Sequence, residues 1–291
     1  MKQLLVLSGK GGTGKTTIAS ALIKLANAKA YADCDVDAPN LHLITTWATE
    51  PDKTDYYGLS KAQINDELCI RCGQCVKYCR FYAISNHDNY SVDPFACEGC
   101  GVCEYVCPVK AITMLPSLDG EMMLYSDNKK VFSTAQLKMG SGSSGLLVTE
   151  VKKRMKSAAV NARLAIIDGS PGLGCPVIAS LSGADMVLIV AEPSISGISD
   201  LERIINTAAN FAIKMAVCVN KYDNNIENTE KIEEFCKKQK LLYAGRIPFD
   251  RDAVKAVNNG QTIVDIDCRS GTAVKEIYHK LMNVFFEKGG D

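Results

Sequence analysis

The stretch GKGGTGKT, Gly9 to Thr16, follows the apolar run QLLVLS and precedes Ile18, Ala21, Leu22 and Leu25, which recur at helical spacing. A glycine-rich turn between a buried strand and a helix commits the surrounding chain to α/β layers, because such a strand needs helices on both faces. The turn also suits phosphate. Backbone N–H groups of Gly9, Gly11, Gly12, Thr13 and Gly14 can wrap a polyphosphate, Lys15 can reach its terminal phosphates, and the Thr16 hydroxyl can ligate Mg2+, with Thr17 next in the helix. The plain alternative is a glycine-rich turn with no ligand.

Further apolar runs end in polar residues: KAYADCD, LAIIDG, DMVLIVAEP and MAVCVNKYD. They read as strands whose carboxyl ends could meet a ligand, with helical patterns around 145–160 and 198–210 between them. The expected fold is α/β: a mainly parallel phosphate-loop sheet with helices on both faces, interrupted by a small cysteine-rich α+β insert. The insert is expected at 60–113, dividing the larger domain into 1–59 and 114–291. MGSGSSG, 139–145, reads as a flexible loop. Val274, Ile277, Leu281 and Phe285 form an apolar stripe expected to pack on the sheet rather than on a membrane. With 33 basic and 33 acidic residues the chain has no charge footprint for nucleic acid, and no window has the apolar length of a membrane span. The start lacks the apolar core of a signal peptide, so thirteen cysteines point to metal binding in a reducing cytosol.

Eight of those cysteines form an internal duplication. Cys69, Cys72, Cys75 and Cys79 recur at a fixed offset as Cys97, Cys100, Cys103 and Cys107, and Gly73/Gly101, Ala83/Ala111 and Ile84/Ile112 keep that offset. The spacing resembles bacterial two-cluster ferredoxins, in which the fourth cysteine of each run crosses to the other cluster. That resemblance implies one [4Fe–4S] cluster on Cys69, Cys72, Cys75 and Cys107, and a second on Cys97, Cys100, Cys103 and Cys79. Paired C-x-x-C elements also build zinc sites, but three cysteines plus a fourth one step on fit a single tetrahedral ion poorly. The second run ends in Cys107-Pro108, as ferredoxins usually do; the first has Arg80 there, which leaves ligation intact and could separate the two potentials.

KGGTGKTT also resembles the deviant phosphate loop of the MinD, Mrp and nitrogenase iron protein class of ATPases. The resemblance implies that Lys10 reaches the nucleotide of a facing subunit, hence a homodimer or a heterodimer with a related ATPase. It further implies that Asp35, in ADCDVDAPN, positions water and the magnesium shell, and that Asp168, in LAIIDGSPG, is the second magnesium-associated carboxylate. Asp33 and Asp37 are weaker candidates with a capping role. NKYD, with Asn220, Lys221 and Asp223, looks alone like a guanine-reading motif, whereas the family implies adenine held against Ile247, Pro248 and Phe249. Cys175 lies seven residues after Asp168, where the nitrogenase iron protein carries a bridging-cluster cysteine. A second cysteine is missing around MGSGSSG, so a buried thiol beside a switch loop is the preferred reading and an interface thiol the alternative. Cys218 is expected in the core; Cys34, Cys236, Cys268, Trp47 and the histidines form no constellation.

Two functions follow. In the first, an ATP hydrolase, slow or partner-stimulated, uses ATP, Mg2+ and two [4Fe–4S] clusters to couple nucleotide state to electron transfer with a redox partner. In the second, the chain is a cluster or metal delivery factor of the Mrp type acting on an apo-protein. The resemblance to such an ATPase with an inserted two-cluster ferredoxin domain covers essentially all 291 residues.

Overall fold

In the computed structural model, which describes residues 1–286 apart from 46, 48, 88, 128 and 160, QLLVLS becomes β1 (Lys2–Leu7) and the phosphate loop leads into α1 (Lys15–Leu25). The chain continues through β2 (Ala30–Asp33), β3 (Asp52–Tyr57), β4 (Lys61–Ile64), α2 (Gln74–Tyr78), β5 (Ile84–Ser85), β6 (Ser91–Val92), α3 (Val102–Tyr105) and β7 (Ile112–Leu115). Next come β8 (Leu118–Ser126), β9 (Val131–Leu137), α4 (Ser144–Ala158), β10 (Leu164–Asp168), α5 (Cys175–Leu181), β11 (Met186–Ala191) and α6 (Ile195–Ala209). The last elements are β12 (Lys214–Asn220), α7 (Ile226–Lys238), β13 (Leu242–Ile247), α8 (Arg251–Asn258) and α9 (Arg269–Phe286).

Nine strands form one sheet in the order β13-β12-β11-β1-β10-β2-β9-β8-β3. It is parallel from β13 to β9, while β8 runs antiparallel to both β9 and β3. The pleat of β1 explains its unbroken apolar run: Leu5 and Leu7 face α4, α5, α6 and α7, and Leu4 and Val6 face α1 and α9. The stripe on α9 packs as expected, with Val274, Ile277, Leu281 and Phe285 at most 2% exposed. Glu287 and Lys288 of the same stretch lie outside the described residues. Cys218 is core, and so are Cys34 and Cys236, all fully buried.

The edge β9-β8-β3 is not evident in the sequence. Asp52–Tyr57 is mostly exposed and Leu118–Ser126 lacks clean alternation, so neither shows a strand's apolar period. Part of MGSGSSG is helical, since Ser144 and Gly145 open α4.

Between β3 and β8 the chain builds a small lobe. Its ends pair as β4 with β7, from Lys61↔Leu115 to Ile64↔Ile112, and β5 pairs with β6 inside it. Its core is Ala62, Cys75, Ala83, Ile84, Cys97 and Ile112. The duplication is visible in the backbone. Left-handed residues recur at equivalent points: Arg71 (φ 56°) and Gly99 (66°), Gly73 (76°) and Gly101 (73°), Tyr82 (54°) and Lys110 (52°). Such conformations are uncommon for residues other than glycine, so their repetition marks two copies of one local fold.

Candidate nucleotide site and cysteine pockets

Parallel pairing brings the carboxyl ends of the central strands together, the usual place for a ligand in open α/β sheets. Asp168 on β10 is in register with Asp33 on β2 and Val6 on β1. Beyond β1 the loop turns through left-handed glycines, Gly12 at φ 79° and Gly14 at φ 88°, and Gly9 lies so close to α6 that a Cβ there would sit 2.2 Å from Asp200 Cβ. Among the described residues nothing crowds Gly11, and the buried Thr13 hydroxyl has no hydrogen-bond partner.

Lys15 is 6% exposed and its Nζ lies 2.6 Å from Asp168 Oδ1, while Thr16 Oγ1 donates to Asp168 Oδ2 at 2.6 Å. Burial would lower the Lys15 pKa, but the carboxylates of Asp168, Asp33 and Asp35 outweigh it and hold the ammonium raised. Asp33 is a bracket. Its oxygens accept from the backbone N–H groups of Asp35 (3.0 Å), Asn40 (3.0 Å) and Leu41 (2.9 Å), which fits its capping role. Burial and the Asp168 charge push Asp33 up to about 7 against the pull of Lys15. Asp35 is half-buried and raised by burial, with Lys15 opposing. Asp37 is exposed. The threonine and the two carboxylates expected around Mg2+, Thr16, Asp35 and Asp168, are thus gathered around Lys15.

Next to the loop is an open cleft lined by Ile18, Ile247, Pro248, Phe249 and Val257 together with Gly14 and Thr17. Asn220 sits at its rim, its Nδ2 donating to Thr13 O at 2.7 Å, and Lys221 Nζ donates to Gly12 O at 3.1 Å. Asp223 Oδ1 accepts from Phe249 N at 2.7 Å. NKYD therefore ties the phosphate loop to the apolar wall.

Three contributors were not singled out within the stretches that carry them. Glu192 lies past β11, with Oε2 2.7 Å from Lys10 Nζ. Ser170 donates to the Cys34 carbonyl, fixing the chain after β10 against β2. Lys152, 5% exposed, donates to the carbonyls of Ala179 (3.2 Å), Ser180 (2.5 Å) and Ser182 (2.6 Å) at the end of α5. The available signal was only polar residues beside apolar runs.

In the small lobe two pockets separate the cysteines. Cys69, Cys72, Cys75 and Cys107 line one with Ile64, Val109 and Ile112; Cys97, Cys100, Cys103 and Cys79 line the other with Phe81, Val92 and Met114. Ala111 N donates to Cys107 Sγ at 3.2 Å. Among the described residues no three thiol, imidazole or carboxylate groups converge on a single-ion site.

The glycines at 140 and 145 sit at close contacts. A Cβ on Gly140 would lie 2.8 Å from the Phe95 ring, and one on Gly145 3.1 Å from Cys175 Cβ. A Cβ on Gly142 would be 3.5 Å from Glu98 Oε2. Ser143, between them, donates to buried Asp119 at 3.2 Å. The segment thus runs from the Cys97 side of the small lobe to Cys175, which opens α5 and is exposed. The preferred sequence reading of Cys175 as buried is corrected: at the first turn of α5 its side chain faces out.

Strand, phosphate loop and helix, with carboxylates delivered by the neighbouring strands, define a P-loop nucleotide-binding protein. Residues 4–263 match the CobQ/CobB/MinD/ParA nucleotide binding domain, and the chain belongs to that family. An uncharacterized protein of Methanocaldococcus jannaschii is 33% identical over 291 residues, 96% of each chain. An iron-sulfur cluster carrier protein of Pyrococcus furiosus is 24% identical over 99% of this chain and 88% of its own. Among solved structures, the septum site-determining protein MinD of Pyrococcus horikoshii complexed with Mg-ADP superposes with a TM-score of 0.58 at 16% identity, covering 99% of both chains. No helix among the described residues is long and apolar enough to cross a membrane.

Proposed function

We propose that the chain is a dimeric Mg2+-dependent ATPase whose 60–113 insert is a two-cluster ferredoxin domain, and that nucleotide state is coupled to electron transfer with a redox partner. The carrying observation is the separation of eight cysteines into two pockets of four, each taking its fourth cysteine from the other half of the duplication. Apolar walls and an N–H donated to a cysteine sulfur suit a thiolate-held cluster. Clusters there would supply one-electron carriers, and Mg2+ at Thr16, Asp35 and Asp168 would neutralise charge on the transferring phosphoryl group.

Lys15 has a partner in Asp168 that a phosphate can replace. When it does, the Asp168 carboxylate is free to face the metal, and the segment from Asp168 to Cys175 is released from one of its anchors. Asp35, half-buried near Lys15, would orient the attacking water. Gly9 to Thr16 cradle the phosphates, and Ile247, Pro248 and Phe249 stack against the base. Adenine is preferred on the family resemblance, and Asp223 Oδ1 already accepts from Phe249 N. A GTP that outcompetes ATP for the purified protein would reverse that choice.

The cluster-delivery reading is favoured by one observation, the resemblance to an iron-sulfur cluster carrier protein. The deciding experiment uses anaerobically purified protein, with iron and sulfide counted per chain and the spectrum recorded with and without ATP. ATP-dependent reduction of a redox acceptor supports electron transfer; transfer of labelled cluster to an apo-acceptor supports delivery. ATP-independent rates in both would count against either coupling.

A further inference from the structure

Lys10 does not project freely from its loop. Its Nζ is 2.7 Å from Glu192 Oε2 and 3.4 Å from Ser194 Oγ. The other Glu192 oxygen is 3.6 Å from Lys221 Nζ, so one carboxylate bridges lysines from two loops. The Glu192 backbone is itself held: its carbonyl accepts from Ser194 N at 2.8 Å, and a Cβ on Gly197 would come within 2.2 Å of that oxygen. The hydrogen bond from Lys10 also holds the Glu192 carboxyl below the ordinary glutamate range.

The pair is nevertheless open to exchange, with 37% of the Lys10 side chain and 22% of Glu192 exposed. We infer that Glu192 is a positioning residue that parks Lys10 on its own subunit until a nucleotide phosphate presented by a second copy of the chain competes for the ammonium. The inference rests on the dimer reading above. A polyphosphate carries more charge than one carboxylate, so the exchange favours the nucleotide-loaded partner over the empty one. Lys221 stays beside Glu192 after Lys10 leaves, and the carboxylate is not stranded without a cation. Breaking the pair is thus a cost charged to every dimerisation, and it makes assembly depend on nucleotide rather than on surface contact alone.

Sedimentation velocity of the full chain, with Mg2+ and a non-hydrolysable ATP analogue, reads this out. Glu192→Gln keeps the shape and removes the charge. Its dimer should form at about fivefold lower protein concentration, the size expected when two partly exposed ion pairs, one in each subunit, no longer have to be broken. In a Lys10→Ala background the same substitution should have no effect. If Glu192→Gln does not fold, Glu192→Asp, too short to hold both lysines equally well, should shift the dimer the same way by less. A midpoint equal to wild type, a weaker dimer, or the same shift without Lys10 overturns the inference. A wild type that stays monomeric with the analogue overturns the dimer reading and this inference together, whereas a wild-type dimer unaffected by Glu192→Gln overturns the parking role alone.

Discussion

Lys15 is buried against a carboxylate, and a buried charge that loses its partner costs far more than a surface one. Asp168→Asn should therefore destabilise the nucleotide-free protein by about 3 kcal/mol. With ADP bound the deficit should narrow, because phosphate gives Lys15 a second partner. Equal deficits in chemical denaturation with and without ADP would show that Asp168 acts on something other than Lys15. Asp33 supplies the pH dependence. Its carboxyl is raised to about 7 in the folded chain, above its ordinary value of 3.8, so the folded state keeps a proton that the unfolded state has lost. The stability this adds is complete below pH 3.8 and is lost as pH rises through about 7. Asp33→Asn cannot titrate. Between those limits the wild-type unfolding free energy should fall relative to the variant as pH rises; parallel curves would remove Asp33 as the titrating group.

At the scale of elements, the duplication makes a crossed prediction. If Cys107 belongs with Cys69, Cys72 and Cys75, then Cys107→Ser should perturb the electron paramagnetic resonance signal of that cluster and spare the one on Cys97, Cys100 and Cys103. Cys79→Ser should do the reverse. An uncrossed outcome would mean that each half holds its own cluster, against the arrangement of the pockets. Both the central sheet and this repeat are legible in the sequence for the same reason. Strands buried on two faces must be apolar throughout, as in LLVL, LAIID and MVLIVA, and cysteine spacing is fixed by the geometry it serves. The sheet edge is not legible, because β3 is largely exposed and takes its register from β8 rather than from its own pattern. Glu192 was hidden for a different cause: a lone acid after a strand has no local period, and its partners lie in two loops distant in sequence. Asp223 also holds the adjoining loop, where its Oδ1 accepts from Phe249 N, a contact that the motif alone does not reveal.

In the whole molecule the small lobe is attached unevenly. The Cys97 half meets the body, with Gly99 close to Leu59 and Ser60, Phe95 close to Gly140 and Glu98 close to Gly142. These contacts continue through Ser143 and Gly145 to Cys175, whose helix follows the Asp168 segment. In the Cys69 half the residue equivalent to Gly99 is Arg71, which is exposed and donates to Asn89 Oδ1 of the lobe itself at 3.2 Å. A contiguous chain of contacts carries a displacement from one segment to the next. A change at Asp168 on nucleotide binding should therefore reach the Cys97 pocket before the Cys69 pocket. Adding a Mg2+-bound, non-hydrolysable ATP analogue should shift the potential of the cluster on Cys97, Cys100, Cys103 and Cys79 and leave the other near its starting value, as read by redox titration. Hydrogen exchange gives the same test without clusters being observed: protection should change over 139–145 and 93–101, and less over 66–75. Gly140→Val, forced against the Phe95 ring at a left-handed position, should uncouple the two while leaving nucleotide binding intact. Equal shifts at both clusters, or coupling that survives in Gly140→Val, would mean that the nucleotide acts through another route, such as closure of a dimer over the exposed Cys69 side.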